Sequence, residues 1–146
     1  VFDHGLGRSI WFTCSTNVER VATTIASFSV VRQADLWSGI GLACGYTGGA
    51  DRGAIESLRS AAGVYRPHLA MGVAIAANAR HTVGNPSQYV ELACEILCGV
   101  SSEQASRIVD TARENLPDAG AEPAYEVWRQ RLVAQFAVPE EHASQQ

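Results

Sequence analysis

This sequence predicts an all-α fold, an irregular bundle of about seven short to medium helices, on three observations. Apolar residues return every three or four positions through most of the chain. These stripes are punctuated by helix signals: Ser, Thr, Asn or Asp ahead, Pro in a first turn, Gly behind. No segment keeps the strict alternation of a half-buried strand, and β-branched residues are dispersed.

The first stripe, Val18, Val21, Ala22 and Ile25, follows Thr16-Asn17-Val18-Glu19, which reads as a capping box with Thr16 as cap. Ser29 can cap the second, carrying Ala34, Trp37, Ile40 and Cys44 and broken at Tyr46-Thr47-Gly48-Gly49. Asp51 starts a third with Ile55, Leu58 and Ala62, and Gly63 stops it. Pro67 suits the first turn of a fourth helix reaching Gly84. Leu69 to Ala77 is apolar on every side, so this helix is expected at the buried centre.

Asn85-Pro86-Ser87-Gln88 opens a fifth helix, with Tyr89, Leu92, Ala93, Ile96 and Leu97, ended by Gly99. Ser101 opens a sixth with Ala105, Ile108, Val109 and Ala112, halted by Pro117. The link Gly99-Val100-Ser101 predicts a tight hairpin of helices five and six. The last helix begins near Pro123 and carries Tyr125, Trp128, Leu132 and Phe136. Residues 1–137 read as one helical domain, part of a longer protein, and 138–146 as a flexible tail. A repeat is only hinted at: Leu42-Ala43-Cys44 returns as Leu92-Ala93-Cys94.

Apolar residues make up 47% of the 146 and charged residues 18%, enough core material for one domain and too little charge for disorder. The net charge is -4 and no basic face emerges, which argues against a nucleic-acid partner. All eleven cationic side chains are Arg, with no Lys. No apolar stretch is long enough for a membrane span. Cys14, Cys44, Cys94 and Cys98 form no CxxC pair and read as reduced, buried thiols of a cytoplasmic protein.

Few constellations suggest chemistry. In Asp3-His4-Gly5-Leu6-Gly7-Arg8-Ser9, two glycines could bare backbone N–H groups to an anion, with Arg8 as clamp; the plainer reading is a helix start capped by Asp3. Cys94 and Cys98, one turn apart near Glu91 and Glu95, could grip an ion, but small packing residues suit these positions equally. The four histidines are widely spaced, so neither a metal nor any other cofactor is expected. Glu91 and Glu95 read as solvated charge rather than an acid–base pair. Gly39, Gly41 and Gly45 allow close helix packing; alternatively they hollow a groove for an apolar ligand, walled by Trp11, Trp37 and Met71.

Five segments together carry a likeness: Asp3 to Phe12, Arg32 to Cys44, Tyr65-Arg66-Pro67-His68-Leu69, Leu92-Ala93-Cys94 with Leu97-Cys98-Gly99, and Glu122 to Arg131. They resemble the C-terminal half of a family of uncharacterised proteins encoded beside enediyne polyketide synthases in actinobacteria. The resemblance implies a part in making the enediyne core or its polyene precursor, and an N-terminal half as a further partner. The expectation is an accessory protein acting on or holding a polyene or polyketide intermediate, with His4, Arg8, Trp11, Trp37, Arg66 and His68 as candidate ligand-binding residues. The alternative is a non-catalytic adaptor docking a synthase component, and whether the chain is an enzyme stays open.

Overall fold

The computed structural model describes residues 2–13, 17–47, 51–84, 88–114 and 121–144. These residues form α1 (Phe2–Thr13), α2 (Val18–Ala26), α3 (Val30–Thr47), α4 (Arg52–Ala62), α5 (Arg66–Thr82), α6 (Gln88–Ala93), α7 (Ser102–Ala112) and α8 (Ala121–Ser144). A 3-10 turn, Gly63–Tyr65, leads into α5, and a π-helical turn, Cys94–Cys98, prolongs α6. Among the described residues there is no strand, so the all-α expectation holds. One helix more is found than the apolar stripes mark, because the opening segment is itself helical.

Local chemistry sets most boundaries. Asp51 accepts the Ala54 N–H at 2.8 Å and Ser101 accepts that of Gln104 at 3.1 Å, each satisfying a first-turn donor. Gly63 and Gly99 end their helices at φ 55° and 74°, backbone that side chains with a Cβ resist. The cap of α2 is Asn17, whose Oδ1 accepts the Arg20 N–H at 3.1 Å, one residue beyond the Thr16 expected. The expected start at Asn85-Pro86-Ser87 and stop at Pro117 lie outside the described residues. α8 continues to Ser144, through the segment read as a tail.

α5 is the axis of the bundle, with Leu69, Ala70, Met71, Val73, Ala74, Ala76 and Ala77 all buried. α3 lies along it in parallel: Ser38 meets Gly72, Gly41 meets Leu69 and Val73, and Gly45 meets Ala76. The intervening α4 makes this possible, since a direct short link would force antiparallel neighbours. α7 packs principally on α5, running antiparallel, rather than closing a tight hairpin with α6. α8 closes the bundle through Trp128, Leu132 and Phe136, spaced one turn apart and buried. No described helix is long and apolar enough to cross a membrane.

Candidate functional site

The six candidates from sequence fare differently. His4 and Arg8 lie in α1, and their side chains are outside the described residues. The anion-loop reading of that segment fails, because helical backbone ties up the N–H groups the glycines were to bare. The helix begins ahead of Asp3, so Asp3 is not its cap. Gly7 is buried against α3, where a Cβ would overlap the Leu36 carbonyl.

Trp11 and Trp37 are core residues, 2% and 3% exposed. The alternative of a glycine-hollowed groove loses its space here. A Cβ on Gly41 would run into the Leu69 carbonyl, and one on Gly45 would stand 2.9 Å from the Ala76 methyl. Neighbouring helices fill what the missing side chains leave, and Met71 is buried with them. Arg66 turns back on the preceding helix, its Nε donating to the Arg59 carbonyl at 3.0 Å.

His68 is different. It stands in the first turn of α5, half-buried, with the Tyr65 ring edge-on at 6.0 Å between centroids. Its Nδ1 is fully buried and has no hydrogen-bond partner among the described residues. Burial holds its pKa below the ordinary imidazole value; the Arg129 guanidinium adds to this and the Asp35 carboxylate opposes it. The imidazole is therefore neutral at neutral pH, with one nitrogen lone pair available.

Asp35 of α3 and Arg129 of α8 form an ion pair beside it, only 29% and 17% exposed. Arg129 Nη1 also lies 3.6 Å from Glu126. Three helices thus bring together the His68 imidazole, the Asp35 carboxylate and the Arg129 guanidinium. Asp35, His68 and Arg129 come from three of the five segments that carry the family likeness. Only His68 was nominated from sequence. Asp35 interrupts the approach to an apolar stripe, a signal that could have flagged it.

Among the described residues the other buried side-chain polar atoms have hydrogen-bond partners. Glu91 is not merely solvated: it accepts the Ser102 N–H at 3.2 Å and the Ser102 hydroxyl at 2.5 Å, capping α7. That leaves His81 Nε2 to donate to the same hydroxyl oxygen at 3.0 Å. Glu91 holds both the N–H and the hydroxyl of Ser102, which is 2% exposed, so the trio serves as a buried helix cap. Glu95 reaches Arg52 at 3.4 Å, away from Glu91's contacts. Asn78 Nδ2 donates to Ser106 Oγ at 3.1 Å and Asp110 at 3.0 Å, while its Oδ1 accepts from Arg113 at 3.2 Å.

Cys44, Cys94 and Cys98 are buried free thiols. Burial, then Cys94, pushes Cys44 up to about 12; burial, then a hydrogen bond with Cys94, pushes Cys98 well above its ordinary value. Among the described residues no three His, Cys, Asp or Glu are grouped to hold a metal ion. Cys14 lies outside the described residues. An open groove of about 660 Å³ runs between α7 and α8, past Ile108 and Ala134, with Arg107 and Arg131 on its walls.

Fold and site together define a helical bundle in which Asp35, His68 and Arg129 meet from three helices. The chain belongs to a family described as protein of unknown function (DUF1702), whose model matches residues 1–136. No curated protein and no solved structure matches the chain.

Proposed function

We propose that this chain is a cytoplasmic accessory protein of enediyne polyketide biosynthesis that holds or acts on a polyene or polyketide intermediate at the Asp35–His68–Arg129 cluster. The observation that carries the reading is the buried Nδ1 of His68, a hydrogen-bonding atom left without a described partner. Leaving such an atom unpaired costs about 1–3 kcal/mol, so a native fold that retains one invites a ligand to satisfy it. The enediyne context rests on the family likeness of the segments that meet there. Titration of the protein with a linear conjugated polyene should shift the polyene's absorbance, and His68→Phe should reduce that shift at least fivefold. In a producing strain, His68→Phe should lower product titre at unchanged protein abundance. Unchanged binding and titre would remove the cluster from function.

The adaptor reading draws on a different observation. Val30 and Val31 at the start of α3 and Val64 ahead of α5 are 72%, 87% and 85% exposed. α3 and α5 run parallel, so these valines share the end of the bundle where the cluster lies. Capture of the polyketide synthase by the wild-type chain, lost on Val31→Asp and without any polyene binding, would put docking ahead.

A further inference from the structure

The open groove between α7 and α8 stands apart from the His68 cluster. Arg129 leaves α8 towards Asp35, whereas Arg131, two positions on, turns to α7, so the two places lie on different sides of the helix. On α7 the groove follows Gln104, Arg107, Ile108, Thr111 and Ala112, which recur at helical spacing and share one face about 12 Å long. Arg131 and Ala134 face them from α8. The lining carries two guanidinium groups and no carboxylate, in a chain whose net charge is -4. The groove between α2 and α4 is the opposite case, with Glu19 and Glu56 on its walls and no cation.

The two arginines differ in how they are held. Arg131 is fixed: its Nη1 donates to the Ala112 and Glu114 carbonyls at 3.1 and 2.6 Å, covering the negative end of α7 that would repel an anion. Arg107 pairs with Glu103 one turn back, but both side chains are exposed, 72% and 66%, and such a pair is weak. Asp110, the next carboxylate on α7, is directed to Asn78 at 3.0 Å. Ile108 is the one large apolar side chain of the lining, and none of the described large exposed hydrophobics lies there. The groove therefore lacks the aromatic and aliphatic anchors that a protein partner grips. Its volume of about 660 Å³ falls in the range of small-ligand sites.

We infer that this groove is a binding site for a flexible apolar chain that ends in a carboxylate. The chain lies on Ile108, Ala112 and Ala134, and the carboxylate meets the fork of Arg107, with Gln104 one turn away. A planar carboxylate suits a single fork, because it accepts two parallel N–H groups together. An alcohol forfeits the charge-assisted bond, and a cationic head meets two guanidinium groups.

Decanoate, decan-1-ol, decyl phosphate and decyltrimethylammonium, each below its micelle concentration, vary the head on one chain. In calorimetry at pH 7.5 decanoate should bind about tenfold more tightly than the alcohol and at least as tightly as the phosphate, and the ammonium should not bind. Arg107→Gln should weaken decanoate about fivefold to tenfold and leave the alcohol within about twofold. Ala134→Leu, at an exposed position where the larger side chain occupies the groove, should abolish both. His68→Phe should change neither, which keeps failure here distinct from failure of the cluster. The Ile108 and Ala134 methyl resonances should shift with decanoate. Equal binding of the alcohol, tighter binding of the phosphate, undiminished decanoate affinity in Arg107→Gln, or shifts confined to other methyls would overturn the inference. So would binding of an acidic amphipathic peptide without any of decanoate, which would make the groove a protein-docking face.

Discussion

α5 meets α3 and α7 on different terms, and the contrast shows two ways of fixing one helix in a bundle. Against α3 it presents Leu69, Gly72, Val73 and Ala76, and the two backbones come together at Gly41, Gly45 and Gly72. Shape alone sets that register, since dispersion between close-packed atoms is weak singly but unforgiving of misfit. Against α7 it presents Asn78 and His81, which reach Ser106, Asp110 and Ser102. Those three partners recur every fourth residue and make a polar stripe down α7. There the register is set by hydrogen bonds, each paired in only one alignment.

The comparison breaks first at Gly72. A Cβ there would overlap the Ser38 carbonyl and crowd the Leu42 amide, both backbone, so no side-chain rotation relieves it. Gly72→Ala should cost more than about 3 kcal/mol, at or beyond the upper end of ordinary overpacking. Gly53→Ala is the internal control. Gly53 is exposed in α4, with only Asp51 Oδ1 at 3.6 Å, and the change should stabilise by about 0.5–1 kcal/mol. Urea denaturation of the pair should move the midpoint in opposite directions. A well-folded, undiminished Gly72→Ala protein would show that α3 and α5 are not packed as described.

The polar seam should yield less. Asn78→Ala strands the Ser106 hydroxyl and removes the acceptor for Arg113, while Asp110 and Arg113 keep their own contact at 3.5 Å. The expected loss is about 2 kcal/mol, within the range for leaving buried polar groups unpaired. Ser106→Ala, which deletes one partner and leaves Asn78 the Ser106 carbonyl, Asp110 and Arg113, should lose about half as much. If Ser106→Ala cost as much as Asn78→Ala, the seam would be a single cooperative network rather than a set of pairs.

How much of this was legible in the sequence follows from the reach of each signal. Asp51, Gly63, Gly99 and Ser101 act on backbone within four residues, so reading them locally suffices. The burial of α5 was equally plain, because Leu69 to Ala77 leaves no polar side to face water. Gly5 and Gly7 misled: they imitate a loop, yet Gly7 belongs to a helix because α3 comes close enough to need it. Asn78, a polar residue immediately after the apolar run, marks where α5 turns to the polar stripe of α7. The Asp35–Arg129 pair could not be read at all. The two are 94 positions apart, and only the way α8 crosses α3 brings them to His68.

The smallest effect concerns how dry the α3 side of the bundle is, and it is read at alkaline pH. Cys44 on α3 is 1% exposed and near Cys94, so the two Leu-Ala-Cys segments meet through their thiols. Its pKa is about 12 in the fold against 9.0 for the ordinary thiol. The folded thiol therefore keeps its proton where the unfolded one sheds it. Above pH 9 the unfolded state binds fewer protons, and stability must fall as pH rises from about 9 to about 12. Most proteins hide such a slope under lysine titration, but this chain has no Lys, and its eleven Arg stay charged throughout. Under reducing conditions, wild type should lose about 1 kcal/mol between pH 8.5 and 10 through Cys44, one pKa unit being worth about 1.4 kcal/mol. Cys44→Ala should start less stable at pH 8.5, for want of packing, and then decline less steeply. The decisive quantity is the difference in slope, since the two proteins share every other titratable group. Identical slopes would mean that water reaches Cys44 and that the α3 side is not the dry one.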